Sequence, residues 1–239
     1  MHGKLASFLL LFLSPFCLLA QKDDPKLIEY KANKFIQEIG IFAGPSINFL
    51  RGNLEVDDGF QNERKLLVGR SVGVKIRSKT FLKKLTLSVA FMFDRKGGKS
   101  LSTGEYFDLA DQVLKLGVIE FRYKYKYYTI PLRLEYAFGK KNKFKIEGGG
   151  YTSYLKKQVR EREELFSSDP FSSFEETDFN YTMDYGVSMG VSYTLPIHQS
   201  FSISIELINN LGLRNIRPNL NPGQEMKTNS TALLIGIVF

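Results

Sequence analysis

Apolar residues alternate with small or polar residues, at a period of two, through almost the whole chain after residue 35. The clearest case is 181–195, where every odd position is apolar or aromatic and the even positions carry Thr, Asp, Gly or Ser. Successive side chains of a β-strand point to opposite faces, so this period indicates strands rather than helices. The sequence therefore predicts an all-β fold whose strands each have one apolar face.

The pattern predicts eight strands, at 35–50, 65–77, 82–94, 119–138, 143–157, 179–195, 200–212 and 229–239. Their connections alternate in length. Those at 51–64, 95–118, 158–178 and 213–228 are long, whereas those at 78–81, 139–142 and 196–199 are short. Antiparallel up-and-down barrels of the outer membrane combine short periplasmic turns with long external loops. A mid-strand proline, Pro131, lacks a ladder donor and predicts a local bulge at 129–131.

The second face of the predicted strands carries charges of both signs. They are Glu38, Lys75, Arg133, Glu135, Lys145, Glu147, Asp184 and Glu206. Burying so many charges in a soluble apolar core would be costly, whereas a small membrane barrel pairs them across its lumen. The apolar face is therefore predicted to meet lipid, and the charged residues to form a polar network in the lumen. A soluble, lipocalin-like periplasmic barrel, with the apolar face inside, is the alternative.

The first twenty residues have the layout of a secretory signal peptide. Lys4 precedes an apolar run at 5–19, and cleavage is predicted after Ala20. Cys17 raises a lipoprotein alternative, but Phe16 stands where a lipobox requires a small residue. A polar periplasmic leader at 21–34 and a barrel domain at 35–239 follow.

Composition excludes several kinds of chemistry. The chain has one Cys and two His, and His2 and Cys17 both lie in the predicted signal peptide. A disulfide framework and a cysteine-based metal site are therefore excluded. His198 falls in a short turn and is interpreted as solvated. Acidic residues at 53–59 suit Ca²⁺ but miss the EF-hand spacing, so a solvated loop is favoured. We expect no catalytic residues, no metal and no cofactor.

A run of alternating cations and tyrosines precedes the fourth strand. It consists of Arg122, Tyr123, Lys124, Tyr125, Lys126 and Tyr127. Such a run could stack bases and hold phosphates. Its continuity with a membrane strand favours a basic and aromatic patch at the outer rim, near lipopolysaccharide phosphates, rather than nucleic-acid binding. The net charge of +8 is consistent with either partner.

Motifs in a fixed order resemble the PorT-like outer-membrane β-barrel family of Bacteroidota. They are IFAGPSIN at 41–48, YTIPLRLEY at 128–136, IEGGGY at 146–151, DYGVSMGV at 184–191, LGLRNI at 211–216 and a terminal strand ending in Phe239. The resemblance implies an eight-stranded outer-membrane barrel without shared catalytic residues. It also implies that Ile235, Ile237 and Phe239 form the signal read by the barrel-assembly machinery.

The combined prediction is a monomeric, non-enzymatic outer-membrane barrel whose interior is filled by side chains. Its external loops would act in envelope structure, or bind an envelope or secretion partner, with outer-membrane lipid and lipopolysaccharide around the wall. Phe171, Phe174 and Phe179 in the third long loop are candidate contacts for such a partner, and packing on the loop itself is the alternative. Binding or transport of a small ligand at the barrel mouth is the alternative, and an outer-membrane enzyme is disfavoured.

Overall fold

The structure is a computed structural model of the chain. It describes residues 36–52, 61–80, 82, 84–108, 113–139, 143–164, 171–175, 177, 181–217 and 224–239. The predicted signal peptide and leader, the candidate Ca²⁺ loop at 53–59 and Phe179 lie outside the described residues. Ten strands are described: β1 (Ile36–Arg51), β2 (Gln61–Lys65), β3 (Leu67–Lys79), β4 (Leu85–Asp108), β5 (Val113–Phe138), β6 (Phe144–Glu164), β7 (Phe171–Glu175), β8 (Met183–Pro196), β9 (Ser202–Gly212) and β10 (Lys227–Val238).

Eight of these strands close into a ring in the order β1, β3, β4, β5, β6, β8, β9, β10. The ring closes where β10 pairs antiparallel with β1, with Ile41 opposite Ile237. The predicted all-β, antiparallel, up-and-down architecture with eight strands is confirmed. The described residues include no helix that is long and apolar enough to cross a membrane.

Three strands, β4, β5 and β6, extend beyond the ring. β4 has 24 residues and β5 has 26, whereas a strand needs only about 9–11 residues to span the membrane. Their outer parts pair with each other, β2 adds to β4, and β7 adds to the outer part of β6. The outer parts of β4, β5 and β6, with β2 and β7, are called the projecting sheet below.

The prediction of long loops at 95–118 and 158–178 is therefore largely wrong. Most of 95–118 is strand, and β6 continues to Glu164 before β7 begins at Phe171. The predicted strands ended where the apolar face ended. A sheet beyond the membrane meets water on both faces, so its strands need no lipid-facing apolar stripe.

The two faces of the ring differ in polarity. The outward face is apolar and exposed, as at Ile41, Val74, Leu134, Met189 and Ile235. The inward face is buried and largely polar: it includes Asn48, Lys75, Glu135, Ser188 and Glu206. Exposed apolar side chains around a whole barrel require a lipid environment, because water would disfavour so large an apolar surface.

The bulge lies a few residues from its predicted position. The pairing of β4 with β5 keeps one register across Pro131, from Val89 opposite Leu132 to Met92 opposite Thr129. The register shift lies in the pairing of β5 with β6, between Lys126 and Tyr127. The expectation of a bulge at 129–131 is wrong, because the missing proline donor interrupts the ladder without inserting a residue.

Candidate functional site

The interior of the ring holds a cluster of eight charged side chains from five strands. The cluster consists of Glu38, Lys75, Arg77, Arg133, Glu135, Lys145, Glu147 and Glu206, and is called the ionic cluster below. It contains four cations and four carboxylates, so its formal charges cancel. Seven members are buried, and Glu38 is partly exposed.

Lys75 and Arg77 on β3 form the centre of the ionic cluster. Lys75 Nζ donates to Glu206 at 2.5 Å and to Glu147 at 3.4 Å. Arg77 donates to Glu206 at 2.6 Å, to Glu135 at 2.8 Å and to Glu38 at 2.9 Å. Each cation bridges carboxylates on different strands, so the cluster links the wall across the lumen.

The remaining pairs extend the ionic cluster along β5 and β6. Arg133 donates to Glu147 at 2.7 Å and to the Ser188 hydroxyl at 2.9 Å. Lys145 lies 3.6 Å from both Glu38 and Glu135. A buried charge is costly unless it is paired, and each buried member of the ionic cluster has at least one partner of opposite charge within 4 Å.

Arg77 was missed by the sequence analysis although its signal was present. It falls two residues after Lys75 and so on the same face of the strand, but it is the last residue of the predicted strand at 65–77. The apolar ring of Phe42 covers the cations, with its centroid 5.1 Å from Lys75 Nζ and 5.7 Å from the Arg77 guanidinium. Phe42 in turn packs over Gly236, where an added Cβ would lie 2.3 Å from the ring.

Asp184, the remaining charged residue of the predicted lumen network, lies apart from the ionic cluster. It is fully buried and accepts hydrogen bonds from Thr228 at 2.8 Å and from the Tyr151 hydroxyl at 3.3 Å. Lys96, also buried, has its Nζ 4.4 Å from the centroid of the Tyr151 ring and donates to Ser153. The interior therefore has a second polar layer held by neutral hydroxyls and aromatic rings.

An apolar cluster fills the mouth of the barrel. It consists of Leu50, Tyr125, Tyr127, Leu155, Ile216 and Met226, and is called the mouth cluster. The segment after β9 folds inward to supply Ile216, whose backbone N–H donates to Met226 O and whose carbonyl accepts from Tyr181. Side chains thus occupy the lumen at several levels, from the ionic cluster to the mouth cluster.

The predicted outer-rim patch at 122–127 is divided between two faces of β5. Tyr125 and Tyr127 are fully buried in the mouth cluster, and Tyr123 packs against it. Arg122, Lys124 and Lys126 alternate with these tyrosines on the opposite face. The six residues therefore do not form one surface, because the period of two separates the cations from the tyrosines.

The outward cations of the projecting sheet mostly contact carboxylates. Lys124 Nζ lies 2.5 Å and 2.6 Å from the two carboxylate oxygens of Glu161. Arg122 donates to Glu120 and Glu163, each at 2.5 Å. Burial alone would raise the pKa of the Glu120 carboxyl, but hydrogen bonds from Arg122 and Lys99 outweigh it, so the pKa lies below its usual value.

Other residues singled out from the sequence lie in a short turn or on the barrel wall. His198 is exposed in the turn after β8 and stacks on Phe201 at 5.9 Å. Ile235, Ile237 and Phe239 are exposed on the outward face, as lipid contact requires. Among the described residues, no group of three or more His, Cys, Asp or Glu side chains could hold a metal ion.

Comparison with known proteins agrees with a transmembrane barrel of the outer membrane. Residues 21–217 match the outer membrane protein beta-barrel domain, and the chain belongs to that family. The protein is thus an outer-membrane β-barrel, while the narrower resemblance to PorT-like proteins of Bacteroidota stays a prediction. A search of curated proteins gave no significant match.

Several solved outer-membrane barrels are similar in fold. The attachment invasion locus protein Ail of Yersinia pestis has 14% identity and a TM-score of 0.38, with 84% of this chain and 98% of Ail covered. OprG of Pseudomonas aeruginosa has 11% identity and a TM-score of 0.36, with 86% and 97% covered. The outer membrane protease OmpT of Escherichia coli has 9% identity and a TM-score of 0.40, with 84% and 95% covered.

Proposed function

We propose that this protein is a non-enzymatic outer-membrane barrel that conducts no solutes and acts through its projecting sheet as a docking element for an envelope or secretion protein. The filled lumen is the observation that carries the proposal. The ionic cluster links five strands through buried contacts, and the mouth cluster lies at the external end. A lumen occupied at several levels by side chains favours a structural or binding role over transport.

The projecting sheet supports the binding part of the proposal. From Tyr128, β5 continues outward to Val113, up to roughly 50 Å along the strand at the usual rise per residue. β7 is the last strand at one side of this sheet. One edge of β7 pairs with β6, and the other edge of β7 pairs with no strand among the described residues. Phe171 and Phe174 on β7 are about half exposed, and exposed aromatics beside an open edge suit a protein partner.

The predicted targeting elements complete this proposal. The signal peptide at 1–20, cleaved after Ala20, would export the chain. The outward residues Ile235, Ile237 and Phe239 of the last strand would be read by the barrel-assembly machinery.

The test has two parts. In planar bilayers, the purified protein is expected to give no steady channels, and steady single-channel currents would contradict the filled-lumen argument. In cells, a photo-crosslinking amino acid at Phe174 is expected to capture one defined protein band. The same probe at the lipid-facing Leu207 is the matched control. Capture at Leu207 but not at Phe174 would contradict docking by the projecting sheet.

A further inference from the structure

Four cations lie side by side in one cross-strand row on the outward face. Arg70 on β3 is opposite Arg95 on β4, Arg95 is opposite Lys126 on β5, and Lys126 is opposite Lys157 on β6. Buried chain neighbours lie on the inward face beside each of them, so the four cations point outward; these neighbours are Ser71, Asp94, Lys96, Tyr125, Tyr127 and Gln158. These four residues and Lys156 are called the cation row.

The bulge in β6 adds the fifth cation. In a regular strand, two residues on the same face are separated by an odd number of residues. Leu155 and Gln158 are both buried on the inward face, but the register shift leaves two residues, Lys156 and Lys157, between them. Lys156 and Lys157 therefore both lie toward the outside, and Lys156 Nζ lies 5.5 Å from the centroid of the Tyr128 ring. Bulges commonly redirect side chains beside functional positions, and this one doubles the number of cations that β6 contributes.

The cation row lies directly above the outer edge of the lipid-facing surface. The next outward row toward the membrane is Val72, Phe93, Tyr128 and Tyr154, again in cross-strand register. The ring of Tyr128 contacts those of Phe91 and Phe93 at 5.7 Å and 5.8 Å. Aromatic girdles mark the level of lipid headgroups in membrane barrels, so the cation row faces the headgroups of the outer leaflet.

The charges of the cation row are incompletely neutralised by the protein. Lys157 contacts Glu175 at 2.5 Å. Within the described part of the chain, Arg70, Arg95 and Lys126 have no carboxylate at salt-bridge distance, unlike Lys124 nearby. Like charges directly opposite each other on neighbouring strands are destabilising. Among the described residues, Glu175 supplies one negative charge to this row, so the excess of cations favours an anionic ligand.

We propose that the cation row is a binding site for the phosphate groups of a phosphorylated glycolipid in the outer leaflet. Two arginines offer planar donor pairs that match phosphate oxygens, and the lysines add point charges. The row of apolar and aromatic side chains beneath would contact the upper parts of the acyl chains. This site lies on the barrel wall below the projecting sheet and meets that sheet where Lys157 contacts Glu175 of β7.

The test measures lipid binding by the folded protein in dodecyl maltoside micelles. The probes are diphosphoryl lipid A, monophosphoryl lipid A and phosphatidylglycerol. For the native protein we expect the affinity to fall in that order and to weaken with rising ionic strength. Substituting Arg70, Arg95 and Lys126 together by Gln is expected to weaken binding of diphosphoryl lipid A on the order of 100-fold. This estimate assumes about fivefold for each cation near an anionic surface.

The matched control is Lys124→Gln, which removes an outward cation that Glu161 already neutralises. It is expected to change the affinity less than twofold. Folding of each variant is checked by heat-modifiable gel mobility, and the single variant Lys156→Gln, at an exposed bulge, gives a second readout of about fivefold. Unchanged binding in the triple and Lys156 variants would overturn the proposal. So would an equal loss in the Lys124 variant, or equal affinity for phosphatidylglycerol.

Discussion

The ionic cluster in the lumen and the charged ladder of the projecting sheet use the same residue types in different surroundings. In the lumen, Glu206 is fully buried and accepts from two cations. In the projecting sheet, Glu161 receives Lys124 with equally short contacts, but the Lys124 side chain is 40% exposed. Distance alone therefore does not separate the two regions.

Burial makes the difference. A buried carboxylate cannot recover water when its partner is removed, whereas an exposed one can. The lumen pairs should therefore act together as one structural unit, and the exposed pairs should act as nearly independent contacts.

Glu206→Leu is expected to have the largest effect on stability. It leaves Lys75 and Arg77 without their shortest contacts, at 2.5 Å and 2.6 Å, inside the lumen. Breaking a buried pair from one side costs about 3–5 kcal/mol of unfolding free energy. Reversible urea unfolding from lipid vesicles measures this loss.

Glu161→Leu is the matched control, since it removes a carboxylate with equally short contacts from a partly buried surface pair, in which the Lys124 side chain is 40% and the Glu161 side chain 16% exposed. It is expected to cost about 0.2–1 kcal/mol. Equal losses in the two variants would show that burial does not distinguish the two regions.

Gly97→Val is expected to separate the regions. Gly97 lies on β4 near the position where the partner of this strand changes from β3 to β2, and its φ is 155°. A Cβ there would lie 1.9 Å from the carbonyl oxygen of Tyr123 on β5. The resulting shift of backbone should cost roughly 1–3 kcal/mol.

The loss at Gly97 should be confined to the projecting sheet. Hydrogen exchange should rise in the outer parts of β4 and β5, while the ring keeps its heat-modifiable mobility. Gly148→Ala is the control, because an added Cβ there meets nothing within 4 Å. Uniform loss of protection in the ring and the projecting sheet would contradict this separation.

The smallest expected effect is a pH dependence of the projecting sheet. The pKa of Glu120 in the folded protein lies below its usual value because Arg122 and Lys99 bond the charged form. Its contribution to stability is therefore complete above the unfolded pKa, near 4.3, and is lost as the pH falls through the folded pKa. After division by the intrinsic exchange rates, which themselves slow in acid, the protection of the amides around Glu120 should fall as the pH drops below about 4.3. Glu120→Gln should remove this local dependence, and an unchanged profile in that variant would assign it to another group.

The ring could be predicted from the sequence because the alternation of apolar residues has a physical cause and recurs in every membrane strand. Each membrane strand must present an apolar side chain to lipid at every second position, which 181–195 shows throughout. Beyond the membrane this requirement ends, so the outer parts of β4 and β5 were interpreted as loop. In the sequence, Arg70 stands between Val68 and Val72 at the same phase of the period, where it only interrupts an apolar face. Its meaning depends on Arg95 and Lys126, which only the strand register places beside it.

The pairing of β1 with β10 has a consequence for the order of folding. Ile41 and Ile237, which lie opposite each other, are separated by almost the full length of the domain. Contacts so distant in sequence form slowly, because a long loop must be closed before they stabilise anything. Until β10 pairs with β1, each of these two strands has one unpaired edge, with exposed apolar side chains beside it. The chain is therefore most prone to aggregation before the ring closes, when these strand edges are unpaired.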